Sequence, residues 1–340
     1  MTLAMSTQPH RVVLIPGDGI GPEVTEAAVR VVAATGVRIA WERVEAGGDV
    51  IAKYGSPVPE HVLNAIRSTG VALKGPITTP IAGGFKSANV LLRQSLELFA
   101  CVRPVKSIPG LATRFEGVDL ILVRENTEGL YSGLEHRVAP GIVESLKVVT
   151  EHACLRISEY AFALAEREGR RSIAAVHKAN IMKLSDGLFL ECARRIARDH
   201  RGIEYREIII DNCAMQLVRD PTQFDVLLLE NLYGDILSDL CAGLVGGLGV
   251  VPGSNIGHGC AIFEAVHGSA PDIAGKRVAN PSAMLLSTAM LLQHVGEADA
   301  AKAIERGVHA ALADPTRRTA DLGGPANLDA FTATVIEHLE

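Results

Sequence analysis

Short apolar runs alternate with longer stretches of helical periodicity along most of this chain, and this alternation constrains its fold more than any other feature. The first run, residues 11–16, ends in a glycine-rich turn and is followed by helical periodicity over residues 22–34. The pattern recurs, and it predicts strands over residues 71–73, 120–124, 172–177, 205–211 and 225–230 and helices over residues 59–68, 151–167, 185–199, 236–244, 281–296 and 298–313. We therefore expect an α/β fold around a mostly parallel sheet.

The composition agrees with this fold class and argues against several functions. Hydrophobic residues make up 48% of the 340 residues but aromatic ones only 4%, so the core must consist mainly of Val, Leu, Ile and Ala, the usual residues of buried parallel strands. The net charge of −6, without a basic stripe, predicts no nucleic-acid partner. No apolar run predicts a membrane span or a secretory signal. Six cysteines without a C-x-x-C pair favour free thiols in the cytoplasm.

The most informative segment is the polar stretch that follows the apolar run ending at Leu229. Asp235 and Asp239 are four residues apart, so they share one face if the segment is helical. Spacing alone favours two solvated carboxylates near a helix start. The surrounding residues are apolar or small, however, and like charges at a buried strand end repel each other unless a cation joins them. Carboxylates suit Mg²⁺ or Mn²⁺, and Asp211, at the end of another predicted strand, is a candidate third ligand.

Three arginines form the second candidate feature. Arg93, Arg103 and Arg124 fall close together in the sequence, near Ser87 and Asn89. Any one of them alone would be read as a surface residue. Guanidinium groups bind carboxylates through paired hydrogen bonds, so three that converge predict a ligand with two or three carboxylates.

Tyr131 and Lys178 are candidate proton-transfer residues. Lys178 follows an apolar run, and a lysine at a buried strand end can act as a base. A tyrosine can pass a proton, although without further context it is more often a core residue, and the lysine is more often at the surface.

Two glycine-rich segments resemble dinucleotide-binding loops but lack the spacing of a standard Rossmann fingerprint. Residues 17–21 and 243–249 do not combine G-x-G-x-x-G with an acidic residue about 20 positions later. We expect a tight turn at the first and a close helix contact at the second. A better nucleotide candidate is the segment from Glu264 to residue 275, with Asn280 beyond it, because glycine backbone and Asp272 could meet a ribose. An ordinary polar loop is the alternative.

The motifs in this order resemble those of the β-decarboxylating dehydrogenases, which include isocitrate, isopropylmalate, homoisocitrate and tartrate dehydrogenases. The resemblance runs from about Arg11 to the C-terminus. Its motifs are GDGIGPE (17–23), VRENTEGLYSG (123–133), HKANIMKLSDGLF (177–189), DNCAMQLVRDP (211–221), NLYGDILSDLCAGLVGGLG (231–249) and FEAVHGSAPDIAGK (263–276).

This resemblance implies an isopropylmalate dehydrogenase-like fold of two α/β domains. Residues 1–99 and 246–340 would form the large domain on the cofactor side, and residues 100–245 the small domain. An arm at about residues 133–164 would clasp a second copy. In such a homodimer, Lys178 and Asp211 would reach each active site from the other subunit.

The resemblance also implies the chemistry. Asp211, Asp235 and Asp239 would bind Mg²⁺ or Mn²⁺, Lys178 would assist removal of the hydroxyl proton, and Tyr131 would help protonate the enolate. The implied substrate contacts are Ser87, Asn89, Arg93, Arg103 and Arg124, and the implied cofactor contacts are Thr79, Asn180, Glu264, His267, Gly268, Asp272, Ile273, Asn280 and Asp321.

Two short segments carry the finer assignments. The S-x-N-x-x-x-R arrangement over residues 87–93 resembles isocitrate dehydrogenases, which makes isocitrate the expected substrate; homoisocitrate and isopropylmalate are the alternatives. Asp272-Ile273 stands where NADP-specific relatives have Lys-Tyr, so NAD is expected because an aspartate would repel the 2′-phosphate.

Glu230 stands where relatives often have proline, and its carboxylate could lie near the metal or point outward. A non-catalytic regulatory subunit is the alternative of a different class, disfavoured because the implied catalytic residues are all present.

Overall fold

The computed structural model describes residues 8–78 and 87–339, so Thr79 lies outside the described residues. Within these ranges the strands are β1 (His10–Ile15), β2 (Ile39–Arg43), β3 (Val71–Lys74), β4 (Ala100–Lys106), β5 (Asp119–Glu125), β6 (Glu135–Ala139), β7 (Ile142–Ser145), β8 (Ser172–His177), β9 (Glu204–Ile209), β10 (Val226–Leu229), β11 (Pro252–Ile256) and β12 (Ala261–Ala265). The helices are α1 (Gly21–Ala34), α2 (Ile51–Tyr54), α3 (Glu60–Thr69), α4 (Ala88–Ser95), α5 (Glu151–Arg167), α6 (Ser185–Ala197), α7 (Ile210–Arg219), α8 (Asn231–Leu244), α9 (Ser282–His294), α10 (Ala298–Ala313) and α11 (Leu328–Glu337).

One sheet of ten strands runs through the described part of the chain, in the order β2-β1-β3-β12-β11-β4-β5-β10-β8-β9. Strands β2, β1, β3 and β12 form one parallel block, and strands β5, β10, β8 and β9 form another. The central strands β11 and β4 pair antiparallel with each other and with their outer neighbours. The predicted α/β class with a mostly parallel sheet is therefore confirmed, with two parallel blocks joined by an antiparallel centre.

Helices cover both faces of this sheet. Strand β10 shows this directly: Leu227 and Leu229 belong to the cluster beneath α8 to α11, while Val226 and Leu228 belong to the cluster beneath α5 and α6. Successive side chains of a strand point to opposite faces, and all four residues of β10 are buried. A strand buried on both faces has apolar residues throughout, and the sequence therefore indicated this strand by a continuous apolar run. No helix of the described residues is long and apolar enough to cross a membrane.

Two predicted boundaries near the candidate acidic residues are wrong. Strand β9 ends at Ile209, where its pairing with β8 ends, and Asp211 stands in the first turn of α7. A carboxylate is favourable at that position because the helix N-terminus carries partial positive charge. Helix α8 begins at Asn231, five residues before the predicted start. Tyr233 and Gly234 are weak helix formers, and they conceal the start in the sequence.

The segment predicted as an arm contains two different structures. Strands β6 and β7 form an antiparallel hairpin that pairs only with itself among the described strands, and nearly all of its residues are exposed. Helix α5 then packs on the sheet, with Ile157, Ala161 and Phe162 fully buried. Only the hairpin has the exposure of an arm.

Candidate functional site

A cavity of ≈ 270 Å³ opens beside the antiparallel centre of the sheet. Helix α4 contributes one wall, and the ends of β3 and β12 contribute another. Most of the residues expected to contact substrate lie here. Its charged and polar lining includes Lys74, Ser87, Asn89, Arg93, Arg103, Tyr131, Asp235, Glu264 and His267.

The three arginines converge although they come from three elements. Arg103 stands on β4 and Arg93 on α4, and both line the cavity. Arg124 stands on β5, is 1% exposed and lies behind Asp235, to which it donates a hydrogen bond. Burial, followed by the neighbouring Arg93 charge, lowers the pKa of Arg124. Mutual repulsion of buried cations is a cost unless an anion joins them, so this arrangement favours an anionic ligand.

Asp235 is the point where the acidic and basic features meet. It accepts hydrogen bonds from the Arg124 guanidinium and from the Tyr131 hydroxyl. Burial would raise its pKa, but Arg124 and Tyr131 outweigh burial and hold the pKa of Asp235 below its ordinary value. The phenol responds in the opposite sense, because burial and the adjacent Asp235 raise the pKa of Tyr131. The pair therefore combines an ionised carboxylate with a protonated phenol.

Gly234 permits this approach, and sequence reasoning did not single it out. A Cβ at this position would lie 2.5 Å from Cγ of Arg124. The Arg124 stem passes directly against helix α8, where any side chain would displace it. Its guanidinium also donates to the Asn231 amide oxygen at 3.0 and 2.6 Å. The glycine in the NLYGD motif is thus explained by the close packing of the Arg124 side chain.

Asp235 and Asp239 fit a divalent cation only in part. Their side chains are 41% and 60% exposed and lie on one face of α8, and carboxylate oxygens suit a hard ion. Across residues 8–78 and 87–339, however, no three His, Cys, Asp or Glu side chains gather as a metal-binding group. Asp211 is elsewhere, 70% exposed and 2.6 Å from the Lys178 ammonium. This chain alone supplies two of the three expected ligands.

Lys178 and Asp211 therefore form a separate exposed pair. Lys178 does not line the cavity, and its ammonium lowers the pKa of Asp211. Asn180 is exposed on the same segment, five residues before α6 begins at Ser185. None of the three lines the cavity of its own chain, and the resemblance implied that Lys178 and Asp211 act at the site of a second copy.

Glu264 has a different position from the one its loop motif suggested. It is the fourth residue of β12, nine-tenths buried, with its carboxylate 2.6 Å from Lys74 and 3.4 Å from Arg93. Burial opposes its charge, but Lys74 and Arg93 dominate and lower the pKa of Glu264 to about 2. Lys74 is 2% exposed, and both members of its ion pair with Glu264 line the cavity.

The expected cofactor residues occupy two places. His267 and Gly268 line the cavity, and burial lowers the pKa of His267, which favours the neutral ring. Asn280 and Asp321 form a second group, joined by a 3.0 Å hydrogen bond. Gly249 borders this pair, since a Cβ there would lie 3.2 Å from the Asp321 carboxylate. Asp272 is exposed and Ile273 is half-buried, and neither lines the cavity.

Ser87 and Asn89, which the resemblance implied as substrate contacts, both line the cavity at the start of α4. The Asn89 side-chain oxygen is buried and has no hydrogen-bond partner in the described structure. An unpaired buried acceptor costs free energy, so this atom fits a polar group of a bound ligand.

Glu230 neither points outward nor contacts the expected metal ligands. It is 6% exposed, and one carboxylate oxygen pairs with the Lys147 ammonium. Lys147 also contacts the fully buried Asp186 at 2.5 Å. Two carboxylates thus share one buried lysine. Burial, only partly offset by Lys147, raises the pKa of Glu230 to about 7.

This raised pKa predicts a pH-dependent stability. An unfolded glutamate has a pKa of about 4.3, so the native chain binds the extra proton between that value and about 7. Stability is therefore lost as pH rises through this window, by roughly 4 kcal/mol at most. We expect Glu230→Gln to raise Tm at pH 8 and to leave Tm unchanged at pH 4.5, in thermal melts monitored by circular dichroism.

The matched control is Glu191→Gln, on the exposed face of α6, which should change Tm at neither pH. Equal Tm values for wild type and Glu230→Gln at pH 8 would show that Glu230 is ionised at no cost in the native chain.

A mostly parallel α/β sheet carries three largely buried arginines beside paired aspartates, an arrangement that suits an anionic ligand such as a carboxylate. The family described as isocitrate/isopropylmalate dehydrogenase matches residues 11–339. The chain belongs to this family, which confirms the resemblance found in the sequence.

Individual relatives agree with this assignment. The mitochondrial catalytic subunit 5 of NAD isocitrate dehydrogenase from Arabidopsis thaliana is 51% identical over 335 residues, which cover 98% of this chain and 90% of that protein. The chloroplastic 3-isopropylmalate dehydrogenase from Solanum tuberosum is 52% identical over 299 residues, covering 88% and 84%. The crystal structure of isocitrate dehydrogenase from Methylococcus capsulatus matches with a TM-score of 0.94 at 49% identity and covers 97% of this chain and 99% of that one.

Proposed function

We propose that this chain catalyses the NAD-dependent oxidative decarboxylation of isocitrate to 2-oxoglutarate and CO₂, with Mg²⁺ or Mn²⁺. The observation that carries the proposal is that Arg93 and Arg103 line one cavity together with Tyr131 and Asp235, while the buried Arg124 donates a hydrogen bond to Asp235 from behind. Three guanidinium groups match the three carboxylates of isocitrate. Relatives about 50% identical are named as NAD isocitrate dehydrogenase subunits, which agrees with the same assignment.

The substrate would be held by the arginines and distinguished at α4. Arg103 and Arg124 would bind carboxylates next to the reacting carbons, and Arg93, with Ser87 and Asn89, would receive the remaining carboxylate. The polar lining of α4 supports this division, because an apolar substituent would leave the buried Asn89 acceptor unpaired.

Proton transfer would use Lys178 and Tyr131 at opposite stages. Lys178, from a second copy of the chain, would assist removal of the hydroxyl proton before hydride transfer. Tyr131 would return a proton after CO₂ has left, and its raised pKa keeps the phenol protonated for that purpose. Asp235 and Asp239, with Asp211 of the second copy, would hold the divalent ion, which when bound supplies electrostatic stabilisation of developing negative charge.

We propose a homodimer whose active sites are shared. Exposed apolar side chains lie on the elements that carry the separated catalytic residues: Ile181 is 69% exposed and Leu184 90%, both close to Lys178 in the sequence, and Met215 follows Asp211 on α7. Monomeric proteins rarely expose such patches. The hairpin adds Val138, Ile142 and Val143, each more than half exposed.

The proposed domain division follows the sheet. The five strands β2, β1, β3, β12 and β11 come from residues 1–99 and 246–340, and the other five come from residues 100–245. The two sets meet at the antiparallel β11–β4 pair. The cavity borders this junction, which suits a site that closes between a large and a small domain.

A substrate panel tests the activity. NADH formation should be fastest with isocitrate, should require Mg²⁺ or Mn²⁺, and should be at least about tenfold slower with homoisocitrate, isopropylmalate or tartrate. Isopropylmalate is the second candidate, because a 3-isopropylmalate dehydrogenase is 52% identical to this chain. Faster turnover of isopropylmalate would establish that alternative, and no metal-dependent turnover of any of the four would favour a regulatory subunit.

The cofactor assignment gives a separate prediction. Asp272 is exposed and follows the His267–Gly268 wall of the cavity, where its charge would oppose a 2′-phosphate. We expect Asp272→Lys combined with Ile273→Tyr to shift the ratio of kcat/KM for NAD to that for NADP toward NADP by about 100-fold, since one attractive pair replaces one repulsive pair.

The control is Asp299→Lys on α10, which changes the net charge by the same amount far from the cavity residues. An unchanged NAD/NADP ratio in the double variant would remove the proposed role of this loop.

The six cysteines are all free, so we propose a reducing compartment, the cytoplasm being the expectation. The Arabidopsis relative is named as mitochondrial, and cell fractionation distinguishes the two locations.

A further inference from the structure

A chain of buried hydrogen bonds crosses the centre of the sheet and ends at the substrate cavity. Asn126, directly after β5, donates to the Asn255 amide oxygen at 2.9 Å. Asn255, on β11, donates to the Glu264 carboxylate at 2.6 Å, and Arg93 reaches the same carboxylate oxygen at 3.4 Å. Asn126 and Asn255 are 4% and 2% exposed, so water does not compete for these bonds.

Asn126 determines which groups donate and which accept in this series of hydrogen bonds. Asn126 also donates, through the same amide nitrogen, to the backbone carbonyl of Leu98 at 3.2 Å. A carbonyl can only accept, so this end of the Asn126 amide must be nitrogen. Asn255 then presents its oxygen to Asn126 and its nitrogen to Glu264. The backbone carbonyl of Leu98 therefore determines, through Asn126, that the Asn255 amide nitrogen faces Glu264.

Glu264 is held by three donors of different kinds. Lys74 binds one carboxylate oxygen at 2.6 Å, while Asn255 and Arg93 share the other. Of the three, Asn255 is the one neutral donor, and it is 2% exposed on strand β11 within the sheet. Without it, the carboxylate could rotate about its terminal bond and release Arg93, which has the longest of the three contacts.

We propose that Asn255 is a positioning residue: it orients Glu264, and through Glu264 it holds Arg93 in the geometry that receives a substrate carboxylate. This inference rests on the proposed function for the role of Arg93. Asn126 extends the same series of hydrogen bonds to the end of β5. Residues of both proposed domains therefore determine the position of Arg93.

Two substitutions at one position test this role. Asn255→Ala removes the donor, and we expect it to raise KM for isocitrate about tenfold at every pH, with kcat changed less than about threefold. Asn255→Asp has nearly the same shape but donates only when protonated. Once ionised, it places a second negative charge at hydrogen-bond distance from Glu264. Its KM should therefore be close to wild type at the acid end of the range pH 5.5–9 and rise toward or beyond the Asn255→Ala value at the alkaline end.

The matched control is Thr288→Val on α9, which also removes a fully buried hydrogen bond, here within its own helix. It should lower Tm without changing KM or its pH dependence. Wild-type KM in Asn255→Ala would overturn the proposal, and so would equal impairment of both Asn255 variants at every pH.

A structural measurement separates this inference from the proposed function. Crystal structures of wild type and Asn255→Ala without substrate should show the Arg93–Glu264 contact in the first and its loss in the second. If wild type does not turn over isocitrate, the proposed function fails, and these two structures still decide whether Asn255 positions Arg93. An intact contact in Asn255→Ala would exclude that role.

Discussion

Replacing Asp235 with asparagine is expected to lower kcat/KM for isocitrate by roughly 10³-fold or more. The variant keeps the shape of the side chain, but its single amide oxygen replaces only one of the two carboxylate oxygens that accept from Arg124 and Tyr131. It loses the negative charge that would hold the divalent ion, a contribution of several kcal/mol to the transition state. Steady-state kinetics and titration of Mn²⁺ binding by electron paramagnetic resonance measure the two losses independently.

The control is a carboxylate in a comparable setting. Asp329 pairs with Arg277 and is 40% exposed, against 41% for Asp235. Asp329→Asn should leave kcat/KM and Mn²⁺ affinity within about twofold of wild type, because this pair lies outside the cavity lining. If Asp235→Asn bound Mn²⁺ and turned over isocitrate as the control does, the metal site would have to lie elsewhere.

Mixing two inactive variants is expected to restore activity. Tyr131→Phe and Lys178→Met should each lower kcat by about 10²- to 10⁴-fold, because each removes a proton-transfer group. If Lys178 serves the partner's site, a hybrid dimer contains one site with both defects and one site with neither. Random exchange makes about half of the dimers hybrids, so the mixture should recover roughly a quarter of wild-type activity. Subunits are exchanged by dilution to monomers and reassociation, and NADH formation is then measured.

A second mixture provides an internal control. Lys178 and Asp211 are 2.6 Å apart in one chain, so both would be delivered together to the partner's site. Mixing Lys178→Met with Asp211→Asn leaves a defect in every site of the hybrid, and no activity should return. Sites built from a single chain would show no recovery in either mixture, and recovery in both would contradict the joint delivery of Lys178 and Asp211.

The elements that the sequence predicted correctly are those whose environment is uniform along their length. Strand β10 is buried on both faces and therefore apolar throughout, and α1, α5, α9 and α10 carry regular periodicity or continuous apolar sequence. Strand β11 was not predicted because its sequence, PGSNI, contains no strand pattern. It exists because β12 and β4 pair with it on both sides, and these contacts join segments distant in the sequence.

The candidate site divides in the same way. Asp235 and Asp239 could be predicted as a pair because helical spacing alone places them on one face. The arginines could be predicted as a group because of their number and their setting. Gly234 gave no chemical signal, since its role is to leave room for Arg124 from a neighbouring strand. Asn255 gave none either, because an isolated asparagine in a Gly-Ser-Asn stretch is typical of a turn.

The sequence by itself determined the fold class, the family and the residue types of the chemistry, because periodicity, spacing and ordered motifs are local properties of the chain. The tertiary structure decided which of these residues share a space. It brings Arg93, Arg103, Tyr131 and Asp235 to one cavity, with Arg124 behind Asp235. It leaves Lys178 with Asp211 on a separate surface. It also places Glu264 between Lys74 and Asn255. The physical reason is that hydrogen bonds, ion pairs and burial depend on distances between side chains, and for residues far apart in the sequence only the folded sheet sets those distances.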